Sequence, residues 1–234
     1  MPELNLIIQQ HYRRHHEHIV TSSSFQDIIS SEPLRNGLLS TGYKNPKRIQ
    51  CEILPRLLHH TRPDLIVNER CASGKTAGVV VSVLHRVDAS CDTLQGLIVS
   101  CTRELAMQTT AMCGQLGKFT QIRVGTLIGG QTMEDNLKML HTRPHVLVVT
   151  PGRVMDWIHD GQLTLDDVNM LVLDDFDRML SIGCGEEVAW LLKHVPLTTQ
   201  VCVIGASYSR KALCLVDRYL KNPMVVDGVR TELD

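Results

Sequence analysis

Aromatic side chains are scarce in this 234-residue chain, with three phenylalanines, four tyrosines and two tryptophans. So few rings argue against a broad base-stacking platform. Charge of one sign is lacking too: 24 basic residues offset 25 acidic ones, for a net charge of −1. No global field draws in polyanions, and any polyanion site must be local. No apolar run is long enough to cross a bilayer, and "MPELNLIIQQHYRRHHEH" does not read as a signal peptide. Paired CxxC motifs are absent. The eight cysteines are scattered and read as reduced thiols of a cytoplasmic protein, packed as small hydrophobes.

What is present is enough chain for one α/β domain with a sizeable core. Residues 1–24 form a polar segment with His11, His15, His16 and His18, which reads as solvated rather than as a metal site. From Asp64 the pattern changes. The β-branched runs "DLIVN", "GLIVSC", "VGTLIG", "HVLVVT", "NMLVLDD" and "VCVIGAS" alternate with amphipathic stretches such as Lys75–Val87 and Arg103–Lys118. Unbroken apolar runs suit strands buried on both faces, and the alternation predicts a parallel sheet covered by helices. In such sheets ligands bind at the carboxyl ends of the strands. Six polar clusters fall there, more than ordinary turns account for: Ser73–Thr76, Thr102-Arg103, Gly129-Gly130, Thr150–Arg153, Asp174–Asp177 and Gly205–Ser207.

"SGKT" follows a predicted strand and opens a predicted helix, the setting of a phosphate-binding loop. Backbone N–H groups from Ala72, Ser73 and Gly74 onward would face the phosphates at a positive helix end. Lys75 would reach the outer phosphates, and the Thr76 hydroxyl would ligate Mg²⁺. The front of the loop is unusual. Glu69 stands where a small residue is common, and Ala72 where glycine is common, which predicts a crowded path for the phosphates. The run "LVLDDFD" ends a second predicted strand. Asp174 there would hold the metal and Asp175 would orient an attacking water, although the same pair could cap the helix that follows.

In order and spacing these residues resemble the first RecA-like domain of the DEAD-box RNA helicases, from Phe25 to the end of the chain. "GYKNPKRIQ" (42–50) is similar to the Q motif, with Phe25 upstream, and "ASGKT" to motif I. "CTRELA" is similar to motif Ia, "GG" to the glycine doublet, "TPGR" to motif Ib, "DDFD" to motif II and "GAS" to motif III. The resemblance implies a RecA-like P-loop three-layer sandwich with a mainly parallel central sheet over residues 25–234. It implies ATP and Mg²⁺ as cofactors. Gln50 would read the adenine edge; Tyr43 would stack on the base with Phe25 behind it. Thr102, Arg103, Gly130, Thr150, Gly152 and Arg153 would hold the RNA backbone without reading its sequence.

Departures from the family pattern gather in the catalytic motifs. Motif II usually reads Asp-Glu-Ala-Asp, so Asp175 is one methylene short of the usual glutamate, and Phe176 replaces a small residue and is expected to crowd the loop. Gly205 lacks the first hydroxyl of motif III, and Lys47 stands where serine or threonine is usual. The RNA-side motifs are nearly intact. The resemblance therefore implies an RNA clamp with a slowed or lost ATP cycle: either a weakly hydrolysing helicase or a pseudo-helicase scaffold for RNA or protein partners. This drift also resembles the helicase-like domains attached to Tudor domains in piRNA-pathway proteins, the Yb group among them. The family needs a second RecA-like domain, expected in a longer parent chain, and "NPMVVD" (222–227) reads as the last strand of the first.

Overall fold

The computed structural model describes residues 24–70 and 72–228. The histidine-rich segment with His11, His15, His16 and His18 lies outside the described residues, as does Cys71. The described residues open with three helices, α1 (Phe25–Ile28), α2 (Glu32–Ser40) and α3 (Arg48–Leu57). Strands and helices then alternate: β1 (Leu65–Asn68), α4 (Lys75–Arg86), β2 (Gly96–Ser100), α5 (Arg103–Leu116), β3 (Val124–Leu127), α6 (Met133–His141), β4 (Val146–Val149) and α7 (Pro151–His159). The rest is β5 (Met170–Asp174), α8 (Phe176–Ser181), α9 (Gly185–His194), β6 (Gln200–Gly205), α10 (Arg210–Tyr219) and β7 (Met224–Asp227).

The seven strands form one sheet in the order β3-β4-β2-β5-β6-β1-β7. Every pairing among the described residues is parallel, so the sheet is wholly rather than mainly parallel. The short apolar runs explain this. Parallel strands need covered faces, and side chains alternate between the two sides. Ile66 packs into one core with Trp157, Phe176 and Met179, while its neighbours Leu65 and Val67 pack into the other with α3, α4 and α5. The result is a three-layer α/β/α sandwich.

The strand order sorts the predicted clusters. The carboxyl ends of β1, β6 and β5 lie in sequence across one half of the sheet, which sets Gly205 between the phosphate loop and Asp174. The ends of β2, β4 and β3 occupy the other half and carry Thr102-Arg103, Thr150 and Gly129-Gly130. Two sites on one edge therefore meet at β5.

Candidate functional site

Between β1 and α4 the backbone makes a tight loop. Gly74 is left-handed at φ 98°, and a Cβ there would meet Gln50 Nε2 and Lys47 Cδ at 3.1 Å each. Ala72 is also left-handed, at φ 63°. A left-handed alanine costs about 1 kcal/mol. Ala72 is exposed, and its strain lies in its backbone conformation.

Lys75 is buried, and its ammonium donates to the carbonyls of Glu69 at 2.7 Å and Arg70 at 2.6 Å. The cation that would serve a phosphate now holds its own loop closed. Glu69 does not aim its carboxylate into the loop. That group accepts from the Arg70 N–H at 2.8 Å and lies over Gly228, where a Cβ would come within 1.6 Å of it. The turn is tertiary: Glu69 N–H donates to the Gly205 carbonyl at 3.1 Å, tying the loop entrance to β6.

Thr76 and Asp174 meet directly. The hydroxyl donates to Asp174 Oδ2 at 3.0 Å. Burial pushes the Asp174 carboxyl up to about 6, and the charge of Asp175 pushes the same way; Thr76 and Lys75 offset them in part. Asp174 Oδ1 is buried without a hydrogen-bond partner, and so is Ser73 Oγ, among the described residues. Native interiors satisfy nearly all such atoms. One orphaned carboxylate oxygen and one orphaned hydroxyl, beside a helix N-terminus, fit a metal–phosphate group. Ser73, Lys75, Thr76 and Asp174 could hold it.

Asp175 sits at the N-terminus of α8 in the left-handed region, φ 57° and ψ 48°, and its side chain makes no capping bond. The capping alternative fails for this residue, and Asp174 belongs to β5. Phe176 does not crowd the loop. It is fully buried, facing Tyr208 at 6.3 Å between ring centroids. Ser207 Oγ donates to Asp177 Oδ2 at 3.3 Å, keeping one tie between motifs II and III. Tyr208, which the sequence did not single out, places its hydroxyl 3.0 Å from both the Val67 and Val203 carbonyls. The phenol thereby bridges β1 and β6, and nothing in "GASYS" signals that.

Gln50 is buried with both ends of its amide engaged. Oε1 accepts from the Lys47 N–H at 2.8 Å, and Nε2 donates to the Gly74 carbonyl at 3.2 Å. In this state Gln50 braces α3 against the loop, and each end of its amide keeps one further hydrogen-bonding valence. Phe25 and Tyr43 line one cleft of about 400 Å³ with Arg35 and Asn36.

On the other half of the edge lies an open groove of about 570 Å³, lined by Thr102, Arg103, Gly129, Thr150, Gly152 and Arg153. Gly130 does not line it; at φ 88° it lies under the Arg103 guanidinium, where a Cβ would approach Nη1 to 2.6 Å. The Thr102 hydroxyl is committed, accepting the Leu105 N–H as the cap of α5 at 3.3 Å. Thr150 precedes α7 with no such bond. Arg153 Nη2 donates to the Gln131 carbonyl at 3.5 Å, and Nη1 lies 3.8 Å from Asp156.

A family model described as DEAD/DEAH box helicase matches residues 47–214. The chain belongs to that family. It is 32% identical over 216 residues to DEAD-box ATP-dependent RNA helicase 8 of Arabidopsis thaliana, covering 92% of this chain and 42% of the relative. It is 34% identical over 214 residues to ATP-dependent RNA helicase eIF4A of Chaetomium globosum, covering 91% of this chain and 53% of the relative. A DEAD box protein from the hyperthermophile Methanococcus jannaschii superposes with a TM-score of 0.83 at 26% identity, covering 89% of this chain and 56% of that one. The sandwich is thus the RecA-like fold of DEAD-box domains. The chain spans about two fifths to one half of the length of these curated relatives. No helix among the described residues is long and apolar enough to cross a membrane.

Proposed function

We propose that residues 25–234 are the N-terminal RecA-like half of a DEAD-box RNA helicase-like protein, which binds Mg-ATP and the RNA backbone and hydrolyses ATP weakly. The observation that carries this reading is the Thr76–Asp174 hydrogen bond at 3.0 Å, flanked by the two orphaned oxygens. It supports one site built from motifs I and II.

In this reading Lys75 leaves the Glu69 and Arg70 carbonyls for the phosphates, the Thr76 hydroxyl and Asp174 carboxylate hold Mg²⁺, and Phe25, Tyr43 and Gln50 bind the base. Bound Mg-ATP would supply the phosphoryl group whose transfer to water releases energy. Asp175 orients that water from a carboxylate about 1.5 Å too far back, one bond length. A misplacement of ~1 Å can cost on the order of 10²-fold in rate. Thr150, Gly152, Arg153 and the Arg103–Gly130 pair hold phosphates of the RNA. A second RecA-like domain in the parent chain completes both sites. On its motif drift alone, we read the setting as cytoplasmic RNA-mediated silencing in the piRNA pathway; piRNA-length RNAs absent from the immunoprecipitated parent protein would end that assignment.

A pseudo-helicase scaffold for RNA or protein partners is the second reading. It is favoured by the Lys75 ammonium being tied to loop carbonyls and by the retreat of Asp175. ATP hydrolysis by the full-length protein with added RNA separates the two. Turnover that Lys75→Ala abolishes supports the helicase. No turnover, with RNA binding weakened by Arg153→Ala, supports the scaffold.

A further inference from the structure

Lys47 occupies the position before α3, where a serine or threonine would accept a backbone N–H and cap the helix. An ammonium has no acceptor. The lysine therefore gives α3 no cap, and its side chain goes elsewhere. It lies across the phosphate loop, with Cδ at 3.1 Å from where a Cβ of Gly74 would stand. Gly74 immediately precedes Lys75 at the start of α4, where N–H groups and the helix dipole favour an anion. Beyond Cδ the lysine has one more methylene and then its charge. The residue is exposed, and no carboxylate pairs with it among the described residues. Gln50, three residues on, fixes this approach. It bonds the Lys47 N–H at one end and the Gly74 carbonyl at the other, which ties the root of the lysine to the loop.

We propose that Lys47 is a second cation of the nucleotide site, reaching the polyphosphate from α3 while Lys75 reaches it from the loop's own helix. The inference rests on the nucleotide-binding reading above. It gives the departure from serine or threonine a use. A lysine here adds positive charge to a loop whose entrance carries the Glu69 carboxylate, and it ties selectivity to the number of phosphates. Adenosine, with no phosphate, gains nothing from it.

Calorimetric titration of the 234-residue chain with Mg-ATP, Mg-ADP and adenosine tests this in three variants. Lys47→Met keeps the stem and removes the charge. Lys47→Thr removes both but restores a cap, so it should melt no lower than the parent chain. Lys75→Ala tests the underlying site. In both Lys47 variants the Mg-ATP dissociation constant should rise about five- to tenfold at low salt. Mg-ADP should lose less, adenosine should be unchanged, and added salt should weaken Mg-ATP binding less than in the parent chain. Unchanged Mg-ATP affinity in both variants, with Lys75→Ala still damaging, overturns the role of Lys47 and leaves the site standing. Equal losses for adenosine and Mg-ATP also overturn it. No Mg-ATP binding by the parent chain overturns the site and the inference together.

Discussion

The Thr76 hydroxyl and Asp174 carboxylate lie 3.0 Å apart, although they stand 98 positions apart in the sequence. Parallel order produces this contact. β1 and β5 are not neighbours; β6 runs between them and ends in glycine, so no side chain at Gly205 stands between the two groups. The same closeness leaves Asp174 desolvated, beside the charge of Asp175, with one oxygen unpartnered.

That environment makes the domain pH-sensitive. The Asp174 carboxyl titrates at about 6 in the fold against 3.8 in an unstructured chain. A raised value means the folded state holds the proton more tightly. The contribution is most favourable below the unfolded value and is lost as pH rises to the folded one. At pH 7 the buried charge costs on the order of 2–3 kcal/mol. Asp174→Asn should therefore melt higher than the parent chain at pH 7.5 without nucleotide, and the gap should close near pH 4. The same substitution should abolish Mg²⁺-dependent ATP binding. In the parent chain, that binding should weaken as pH falls through 6, as protons compete for the carboxylate. Coincident melting curves at pH 7.5 would show that the carboxylate is not held in this desolvated state.

Phe176 gives a prediction opposite to the one its position in motif II suggests. The ring is fully buried and faces Tyr208 in the core beneath β5 and β6. Phe176→Ala restores the residue usual in the family, yet it should lose about 3–5 kcal/mol through the cavity it leaves. Denaturant unfolding measures that loss. A stable variant with tighter nucleotide binding would mean that the ring does press on the loop.

How much of this was legible beforehand depends on the range of each interaction. The strands "DLIVN" and "NMLVLDD" announced themselves because burial on both faces leaves no polar alternation to confuse the pattern. Lys75, Thr76 and Asp174 were legible because strand ends share one edge. The direction in which a side chain turns was not. Glu69 rests on Gly228, Gln50 spends its amide on Lys47 and Gly74, and Phe176 points inward. Each depends on a neighbour supplied by a distant segment or by the loop's own closure. Tyr208 is the clearest case, since its two carbonyl partners belong to different strands.

Ala72 stores strain that a single atom deletion relieves. It is exposed, so glycine would surrender no packing, and φ 63° suits glycine better. Glycine also loosens the unfolded chain, which offsets part of the gain. The net stabilisation of Ala72→Gly should be about 0.5–1 kcal/mol, read as a shift in denaturant midpoint at unchanged slope. Mg-ATP affinity should rise or hold. A destabilised variant would show that the methyl group contributes contacts that its exposure denies.

Asp175 is where stability and turnover should part. Its left-handed backbone, φ 57° and ψ 48°, is tolerated by aspartate better than by longer side chains, because a short carboxylate can bond locally. Asp175→Glu should lower the melting temperature of the 234-residue chain slightly, by a free energy of about 0.5–1 kcal/mol. In a two-domain protein with RNA bound, the added methylene moves the carboxylate toward the water it would orient, and ATP turnover should rise by up to about 100-fold. The two effects have opposite signs, so a general change in folding cannot produce both. Lower stability without faster turnover would move the defect to the loop entrance, and Glu69→Ala combined with Ala72→Gly would then be the variant expected to restore hydrolysis.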